Sequence, residues 1–384
     1  MAEYKMVRLG DVCEIQSGGT PSRSKTEYWK DGTIPWVKIG DFSGKYLDKT
    51  TEHITQQGLD NSSAKLFSKG TILYSIFATL GEATILNIDA TTNQAIAGIK
   101  IKDKSSVDID YFYSFLKSLK DEVNRIGRGV AQNNINLSIL KSFFIPLPPL
   151  ETQKQIAAQL DKCTAVIAKH KQMLEKYATL IKSRFIEMFG DPVINEKDWD
   201  LKTLPELGEF GRGVSKHRPR NAPELLGGKY PLIQTGDVAN ANLYITDYES
   251  TYSEEGFKQS KMWKAGTLCI TIAATIAKTA ILTFDSCFPD SVVGFTPNEK
   301  TNSLFINYWF SFFQKILEEQ APAVAQKNIN LQVLSELKII TPPISLQNDF
   351  AAFVQQIDKS KFAVQKSLEK AETLYKSLMQ RYFA

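Results

Sequence analysis

The densest group of potentially functional side chains is a basic loop near the middle of the chain. Five basic residues fall within nine positions that contain no acidic residue: Arg212, Lys216, His217, Arg218 and Arg220. Lysine and arginine contact phosphate groups, and they also hydrogen-bond the acceptor edge of guanine. The loop therefore suits contact with a nucleic acid. The competing interpretation is a solvated surface loop, because most basic residues lie exposed on protein surfaces.

Two smaller basic groups lie in the first half of the chain. Arg23 and Lys25 belong to a loop in which nearby acidic residues reduce the local positive charge. Arg125 and Arg128 have no basic counterparts at the matching place in the second half. These four side chains are candidates for contact with the nucleic acid backbone. The alternatives are an exposed loop for the first pair and a helix cap for the second.

Residues for catalysis or metal binding follow no known pattern. The four cysteines are scattered without CxxC spacing, and no histidine cluster joins them, so a zinc site or a disulfide framework is not expected. No GxxxxGK(S/T) phosphate loop occurs, and the Pro-Pro pairs precede Leu150 and Ile344 rather than the aromatic residue of an adenine-methylation motif. The nearest approach to a Mg²⁺ site, Asp290 with Glu336 and Lys338, has no match in the first half. We predict no catalytic residue, metal or cofactor in this chain.

The chain that carries these residues is duplicated. The octapeptide at 130–137 recurs at 324–331 with seven of eight residues identical, at an offset of 194. Further upstream the offset is 196, where PWVKIGD at 35–41 aligns with PLIQTGD at 231–237. Self-similarity at a nearly fixed offset indicates one structural unit that is used twice.

Each copy begins with a part that is rich in short β-strands separated by glycine, asparagine, aspartate and proline. The predicted strands include 34–39, 71–77, 96–101 and 268–272, and the predicted helices include 109–126 and 303–319. We therefore predict two mixed α/β domains, domain 1 at residues 1–149 and domain 2 at residues 191–343.

A helical spacer follows each domain, at 150–190 and at 344–384. From Leu150 to Phe189 and from Ile344 to the end there is no glycine or proline, and apolar residues recur at steps of three and four. That is coiled-coil spacing, so the two helices are expected to pair. The alternative is that each helix packs on its own domain. The residues predicted to pack between the helices are Ile156, Leu160, Ile167, Leu174, Ile181, Val354, Ile357, Val364, Leu368 and Tyr375.

The predicted fold class is α+β: two mixed α/β domains joined by two long antiparallel helices that form a coiled coil, with an internal pseudo-twofold repeat. The length of 384 residues, the 43% hydrophobic content and the net charge of +4 are ordinary for a multidomain globular protein. No segment approaches the roughly 20 apolar residues that span a bilayer, and the first residues lack the apolar core of a signal peptide. A cytoplasmic protein without a membrane partner is expected.

The arrangement resembles a known family. The motifs that carry the resemblance are Gly-Gly-Thr-Pro at Gly18–Pro21, Tyr28-Trp29 ahead of Ile34–Val37, and P-L-P-P-L-x-x-Q at Pro146–Gln153. Together with two α/β domains that alternate with two long helical segments, they make the whole chain similar to the specificity (S, or HsdS) subunit of type I restriction-modification enzymes. The second copy departs at its start, where Gly211-Arg-Gly213 stands in place of Gly-Gly-Thr-Pro.

The resemblance implies a non-catalytic recognition subunit that binds double-stranded DNA. Each α/β domain would be a target recognition domain for one half of a bipartite sequence. The helices would set the spacing between the halves and dock two methyltransferase (M) subunits. S-adenosylmethionine, ATP and Mg²⁺ are then expected on the partner subunits, which include the restriction and translocase (R) subunits.

Matched positions that differ between the two domains are candidates for base reading. Lys38 corresponds to Gln234, and Asn133 corresponds to Lys327. A change from cation to amide at one position is what two readers of different bases would show. An exposed position that merely drifts in sequence is the alternative.

Residues shared by the two copies have a different interpretation. Two domains that read different sequences need not share their base-reading side chains, so Asn136 and Asn330 are expected to hold a turn or a helix start. The matched Asp41 and Asp237 are expected to stabilise turns.

Two readers on a stiff spacer multiply their selectivities when the geometry lets both engage. A single small domain would be too permissive against the roughly 10⁶–10⁹ competing sites of a genome. The alternative function is a coiled-coil scaffold whose paired domains bind proteins, and it predicts no sequence-selective DNA binding.

Overall fold

The structure is a computed structural model that describes residues 4–127, 134–217, 219–273, 275–320 and 329–383. It forms two compact units. Unit 1 comprises Met1–Lys171 with Lys366–Ala384, and unit 2 comprises Gln172–Gln365. Each unit thus contains one α/β domain together with a segment of each long helix. Arg128, Asn133, Arg218 and Lys327 lie outside the described residues.

Unit 1 begins with short strands and helices. In chain order they are β1 (Lys5–Arg8), α1 (Leu9–Val12), β2 (Cys13–Ser17), β3 (Ile34–Val37), β4 (Tyr46–Leu47), β5 (Glu52–Ile54), α2 (Gln56–Asp60), β6 (Ile72–Ser75), β7 (Ala83–Leu86), β8 (Thr91–Thr92), β9 (Ile96–Ile101), α3 (Ile109–Ser118), α4 (Lys120–Gly127), α5 (Leu137–Ser142) and β10 (Phe144–Leu147). The long helix α6 (Leu150–Phe189) follows.

The strands of domain 1 form two main sheets. A five-stranded sheet has the order β2-β9-β6-β7-β4, and a three-stranded sheet has the order β5-β3-β8. Both are mixed, because β4 runs parallel to β7 and β3 runs parallel to β8, while the other pairs are antiparallel. Strand β1 pairs separately with β10 and joins the start of the domain to its end.

Helix α3 covers the larger sheet with an aromatic face. Tyr111, Phe112 and Phe115 are fully or almost fully buried against strands of that sheet. The helix begins where the Asp108 carboxylate accepts hydrogen bonds from the backbone of Asp110 and Tyr111. The predicted helix 109–126 is divided in two, because α3 ends at Ser118, whose hydroxyl donates to the carbonyl of Phe115.

Unit 2 repeats this order. Its elements are β11 (Leu201–Lys202), α7 (Leu204–Leu207), β12 (Gly208–Arg212), β13 (Leu226–Leu232), α8 (Thr235–Asn240), β14 (Tyr244–Ile245), β15 (Ser250–Tyr252), α9 (Glu254–Lys258), β16 (Met262–Trp263), β17 (Leu268–Thr271), β18 (Thr279–Leu282), β19 (Ser286–Cys287), β20 (Val292–Pro297), α10 (Ser303–Gln320), α11 (Leu331–Glu336) and β21 (Ile339–Ile340). The second long helix is α12 (Ile344–Phe383).

The sheets of domain 2 have the same topology as those of domain 1. The five-stranded sheet is β12-β20-β17-β18-β14 and the smaller sheet is β15-β13-β19-β16, with one added strand at its edge. The parallel pairs also recur, at β14 with β18 and at β13 with β19. The duplication that the sequence predicts is therefore present in the strand order.

A buried glutamine fixes the start of each long helix. The Gln153 amide donates to the carbonyls of Ser106 and Pro148 and accepts from the backbone of Asp108. Gln347 does the same in unit 2, where it donates to Lys300 and Pro342 and accepts from the Thr301 hydroxyl. Because both side chains are fully buried, the helix direction is tied to the preceding domain. The glutamine of the P-L-P-P-L-x-x-Q motif is thus a structural clamp.

The predicted interhelix residues are distributed along the two helices. Ile156 and Leu160 lie in the core of unit 1 together with Leu378 of α12. Ile181 of α6 and Val354 of α12 lie in the core of unit 2. Of the remaining predicted positions, one is buried and five are half-buried: Leu368 is buried, and Ile167, Leu174, Ile357, Val364 and Tyr375 are half-buried.

Candidate nucleic-acid interface

The candidate interface in domain 1 is built on the turn that follows β3. Asp41 accepts a hydrogen bond from the backbone N–H of Lys38 at 2.8 Å and further bonds from the hydroxyls of Thr50 and Thr51. Partial burial by itself would raise the pKa of Asp41, but these hydrogen bonds outweigh it and hold the pKa below its usual value. The turn is therefore fixed by a charged carboxylate, and the Lys38 side chain projects from a defined backbone.

Two cations meet at one carboxylate beside this turn. Glu52 accepts a hydrogen bond from Lys38 Nζ at 2.5 Å through one oxygen, and its other oxygen forms an ion pair with Arg23 Nη2 at 2.6 Å. The hydrogen bond from Lys38 is the largest of the effects that lower the pKa of Glu52, and the neighbouring Arg23 lowers it further. Partial desolvation acts in the opposite direction but is outweighed. Glu52 therefore stays charged and offsets the repulsion between the two cations.

Arg23 is also held by two tryptophans. Its guanidinium carbon lies 3.6 Å from the ring centroid of Trp29 and 4.8 Å from that of Trp36. The two rings meet edge to face, with centroids 5.0 Å apart. A cation over an indole face is favoured by about 0.5–1 kcal/mol at an exposed site. Arg23 is thus oriented while about half of its side chain remains exposed.

The other candidates of domain 1 have local partners. Lys25 Nζ donates to the Tyr28 hydroxyl at 2.8 Å, and this hydrogen bond raises the pKa of the lysine. Arg125 lies on α4 with Nη2 3.8 Å from Glu122, and 80% of its side chain is exposed. Arg125 lies in the last turn of α4, where a cation is favoured by the helix dipole, and its guanidinium is accessible.

In domain 2 the same turn carries an amide. The backbone N–H of Gln234 donates to the Asp237 carboxylate at 2.7 Å, as Lys38 does to Asp41. The backbone angles also match, with φ −110° and ψ 161° at Lys38 against φ −112° and ψ 173° at Gln234. The expected turn role of Asp41 and Asp237 is confirmed, because each caps the first turn of a short helix.

The basic loop of domain 2 has two acidic partners, Glu224, which is near in the chain, and Asp290, which is distant. Arg220 forms an ion pair with Asp290 at 2.5 Å, and His217 Nε2 lies 3.7 Å from Glu224. The side-chain amide oxygen of Gln259 accepts from the backbone N–H groups of Lys216 and His217 and so orders the loop. Arg212 and Lys216 are exposed.

The loop geometry explains the departure at the start of domain 2. Gly18 donates to Ile96 at 3.0 Å, and Gly213 donates to Val292 at 2.9 Å, which is the matching place. A Cβ on Gly18 would lie 1.9 Å from Thr92 Oγ1, and one on Gly213 would lie 2.1 Å from the Phe288 carbonyl oxygen. Only glycine fits either position, so Gly213 is the structural counterpart of Gly18.

The shared asparagines have the expected structural role. The Asn136 side chain accepts from the backbone of Ile139 at the start of α5, and Asn330 accepts from Val333 at the start of α11. These are N-caps, for which asparagine is a favoured residue. The prediction that Asn136 and Asn330 hold a helix start is confirmed.

The carboxylates considered for a Mg²⁺ site have other partners. Asp290 is paired with Arg220, and Glu336 accepts from the Gln332 amide at 2.8 Å. Within the described ranges, no group of three histidine, cysteine or acidic side chains could hold a metal ion. Burial raises the pKa of the Cys13 thiol to about 12 and also raises the pKa of Cys269, so neither thiol is prepared to act as a nucleophile.

Three contributors were not apparent from the sequence. Glu52, Ser250 and Asp290 each face a candidate residue from a different strand or loop. Their only signal in the sequence is position: Glu52 and Ser250 each begin a short strand that pairs with a strand of the matched heptapeptides.

Residues 1–176 and 196–372 match the family described as the type I restriction modification DNA specificity domain. The chain belongs to this family. The resemblance deduced from the motifs is confirmed, and the two matched segments correspond to the two copies of the repeat.

The similar proteins are specificity subunits, and the similarity extends over most of their length. The MjaIX specificity subunit of Methanocaldococcus jannaschii is 25% identical over 92% of this chain and 87% of its own. The EcoprrI specificity subunit of Escherichia coli is 24% identical over 93% and 88%. The crystal structure of the type I restriction-modification S subunit from M. genitalium has a TM-score of 0.62 at 16% identity and covers 99% of this chain and 96% of its own. The specificity family fold is therefore shared, with mixed α/β domains and long helices.

In the part of the chain that the structure describes, no helix combines the length and the apolar character needed to cross a membrane.

Proposed function

We propose that this member of the specificity family reads a bipartite DNA target, with one half recognised by each α/β domain. The observation that carries the proposal is the repeated turn. Lys38 and Gln234 have the same backbone angles and the same aspartate cap, yet one presents a cation and the other an amide. Two domains that read different sequences need different hydrogen-bonding side chains, and here these side chains are presented by the same backbone conformation.

Cationic side chains of each domain would contact the phosphates. In domain 1 these are Arg23, Lys25 and Arg125, and in domain 2 they are Arg212, Lys216 and Arg220. Since several of them are already paired with a carboxylate, a phosphate would compete with Glu52 or Asp290 for the same guanidinium. Phosphate contacts position a protein on DNA without reading sequence.

We further propose that the long helices form an antiparallel coiled coil that sets the distance between half-sites. Contacts inside unit 1 support the antiparallel direction. In unit 1, Tyr382 of α12 donates to Gln159 of α6 at 2.7 Å, and Lys171 pairs with Glu372 at 2.9 Å. Moving forward along α6 thus corresponds to moving backward along α12.

The expected partners are two M subunits and, in a restriction complex, R subunits. Apolar side chains exposed on the helices support a protein-docking role, since Phe362 is 70% exposed and Leu374 is 52% exposed. S-adenosylmethionine, ATP and Mg²⁺ would be bound by those subunits, which act with this chain in the cytoplasm.

The test is to express the full chain with its M subunits in a host that lacks other adenine methylation, and to map modified adenines by single-molecule sequencing. We expect one bipartite motif with a fixed gap. Methylation of a continuous motif, or of no defined motif while the chain is bound to its M subunits, would contradict the proposal.

A further inference from the structure

The matched turns differ in more than one side chain. In domain 1 the residue opposite Trp36 on β5 is Glu52, and in domain 2 the residue opposite Leu232 on β15 is Ser250. Trp36 and Leu232 are themselves matched positions of the repeat, at the offset of 196. Glu52 and Ser250 therefore occupy the same place in the two domains.

Each of these residues contacts the variable side chain of its turn. Lys38 Nζ lies 2.5 Å from Glu52 Oε1, whereas Gln234 Nε2 lies 3.5 Å from Ser250 Oγ. The two positions have changed together between the domains, from an ion pair to a neutral amide with a hydroxyl. A position that drifted alone would leave a glutamate beside the amide or a lysine beside the hydroxyl.

The two pairs present different hydrogen-bonding groups. The Lys38 ammonium has three donors, and one is used by Glu52, so two remain. The remaining donors of Lys38 suit the O6 and N7 acceptors of guanine, and Arg23, on the other oxygen of Glu52, can contact a neighbouring phosphate. Gln234 offers a donor and an acceptor, which suits the N6 and N7 groups of adenine.

From this geometry we propose that Lys38–Glu52 and Gln234–Ser250 are exchangeable pairs that determine which base each domain prefers at one position. The inference rests on the proposed function and deepens it. Lys38 and Gln234 would contact the base, while Glu52 and Ser250 are positioning residues that hold the reading group and, in domain 1, bring Arg23 beside it.

The test transfers the pair of domain 2 into domain 1 as Lys38→Gln with Glu52→Ser, in the full chain bound to its M subunits. Methylated adenines are then mapped by sequencing. We expect the half-site of domain 1 to change at one or two positions, with a preference for the new base of about tenfold, and the half-site of domain 2 to stay unchanged. The reciprocal exchange, Gln234→Lys with Ser250→Glu, should change only the other half-site.

A matched control exchanges an exposed ion pair of the same chemistry away from the turns. Lys315 and Glu319 lie on α10 with side chains 86% and 67% exposed. Lys315→Gln with Glu319→Ser should leave both half-sites unchanged. The single change Glu52→Ser tests whether Glu52 only positions Lys38. We expect it to reduce base selectivity at the position of the half-site that Lys38 contacts, without creating the new preference.

The outcomes distinguish the inference from the function on which it rests. If the wild-type complex recognises no bipartite motif, the proposed function fails. If the wild type does so and both exchanges leave the motif unchanged, the pairs are structural and the inference is wrong. If the complex with the exchanged pair in domain 1 does not methylate DNA, its binding preference is measured instead. The complex then selects from a pool of duplexes in which the half-site of domain 2 is kept and the half-site of domain 1 is randomised. Selection of a new base supports the inference, whereas the original base or no preference overturns it.

Discussion

At the scale of single residues, this structure separates side chains that hold the turn from side chains that the turn presents. Asp41 and Asp237 do the same work in both domains, because each accepts the backbone N–H at the start of its turn. Lys38 and Gln234 start from that fixed backbone and differ in chemistry. A residue that is identical in both copies is therefore a poor candidate for base reading, even when it lies beside the site.

The Asp41 carboxylate should make domain 1 sensitive to acid. Its pKa is lowered in the folded state, so its contribution to stability is present above the unfolded-state pKa and is lost as the pH falls through the folded-state pKa. Asp41→Asn should weaken domain 1 by up to about 1 kcal/mol at pH 7, since the group is only partly buried, and should flatten the pH dependence below about pH 4.

Hydrogen exchange of the β3 and β5 amides, followed from neutral to acid pH, measures this effect within domain 1. The matched control is Glu14→Gln, a change at an exposed carboxylate of the larger sheet. Equal pH dependence in the wild type and Asp41→Asn would show that the carboxylate does not stabilise the turn.

At the scale of elements, the entry to each long helix is fixed by buried amide chemistry. Gln153 and Gln347 satisfy two carbonyls and one donor each, at matching places in the two copies. Burying these groups without partners costs free energy, so the clamp specifies one direction for the helix. Propensity explains that α6 and α12 are helices, but the direction in which each begins depends on this tertiary contact.

Removing the Gln153 side chain should destabilise the contact between domain 1 and the start of α6. Gln153→Ala leaves the buried carbonyl of Pro148 and the partly buried Ser106 carbonyl and Asp108 N–H without their partner. We expect a loss of about 1–3 kcal/mol in the stability of unit 1. Gln155→Ala, two residues along α6 at an exposed position, is the matched control and should change stability by less than about 0.5 kcal/mol. Thermal and urea unfolding of the full chain check both values, and similar stabilities for the two variants would contradict the clamp.

At the scale of the whole molecule, each compact unit combines one domain with segments of both long helices. The division falls after Lys171 and after Gln365, inside the helices rather than at the ends of the predicted domains. Aromatic side chains illustrate why: Phe185 of α6 packs on Phe350 of α12 with ring centroids 5.4 Å apart within unit 2, and Phe383 of α12 packs on Tyr111 within unit 1. The chain end is therefore part of the core of domain 1.

The proposed spacing role of the helices predicts a change in the gap between half-sites. Inserting one heptad into both helices adds about 10 Å of helix, which corresponds to about three base pairs of duplex. We expect the methylated motif to keep both half-sites and to change its gap. Inserting the heptad into one helix only is the control; it should misalign the two apolar stripes and weaken recognition. An unchanged gap in the double insertion would show that the helices do not measure distance.

The sequence by itself determined the duplication, the α/β character of the domains, the two 40-residue helices and the family. Those features follow from local periodicity, from turn residues and from motifs that are contiguous in the chain. The caps made by Asn136 and Asn330 could be predicted for the same reason, since an N-cap acts over three residues.

Only the tertiary structure decided which distant groups meet. It placed Glu52 between Lys38 and Arg23, gave the acid-free loop at Arg220 a partner in Asp290, and made Gly213 the counterpart of Gly18. These contacts join residues that are far apart in sequence, and strand register selects them. The physical reason is that register depends on burial across whole sheets, so no local pattern specifies which side chain faces which.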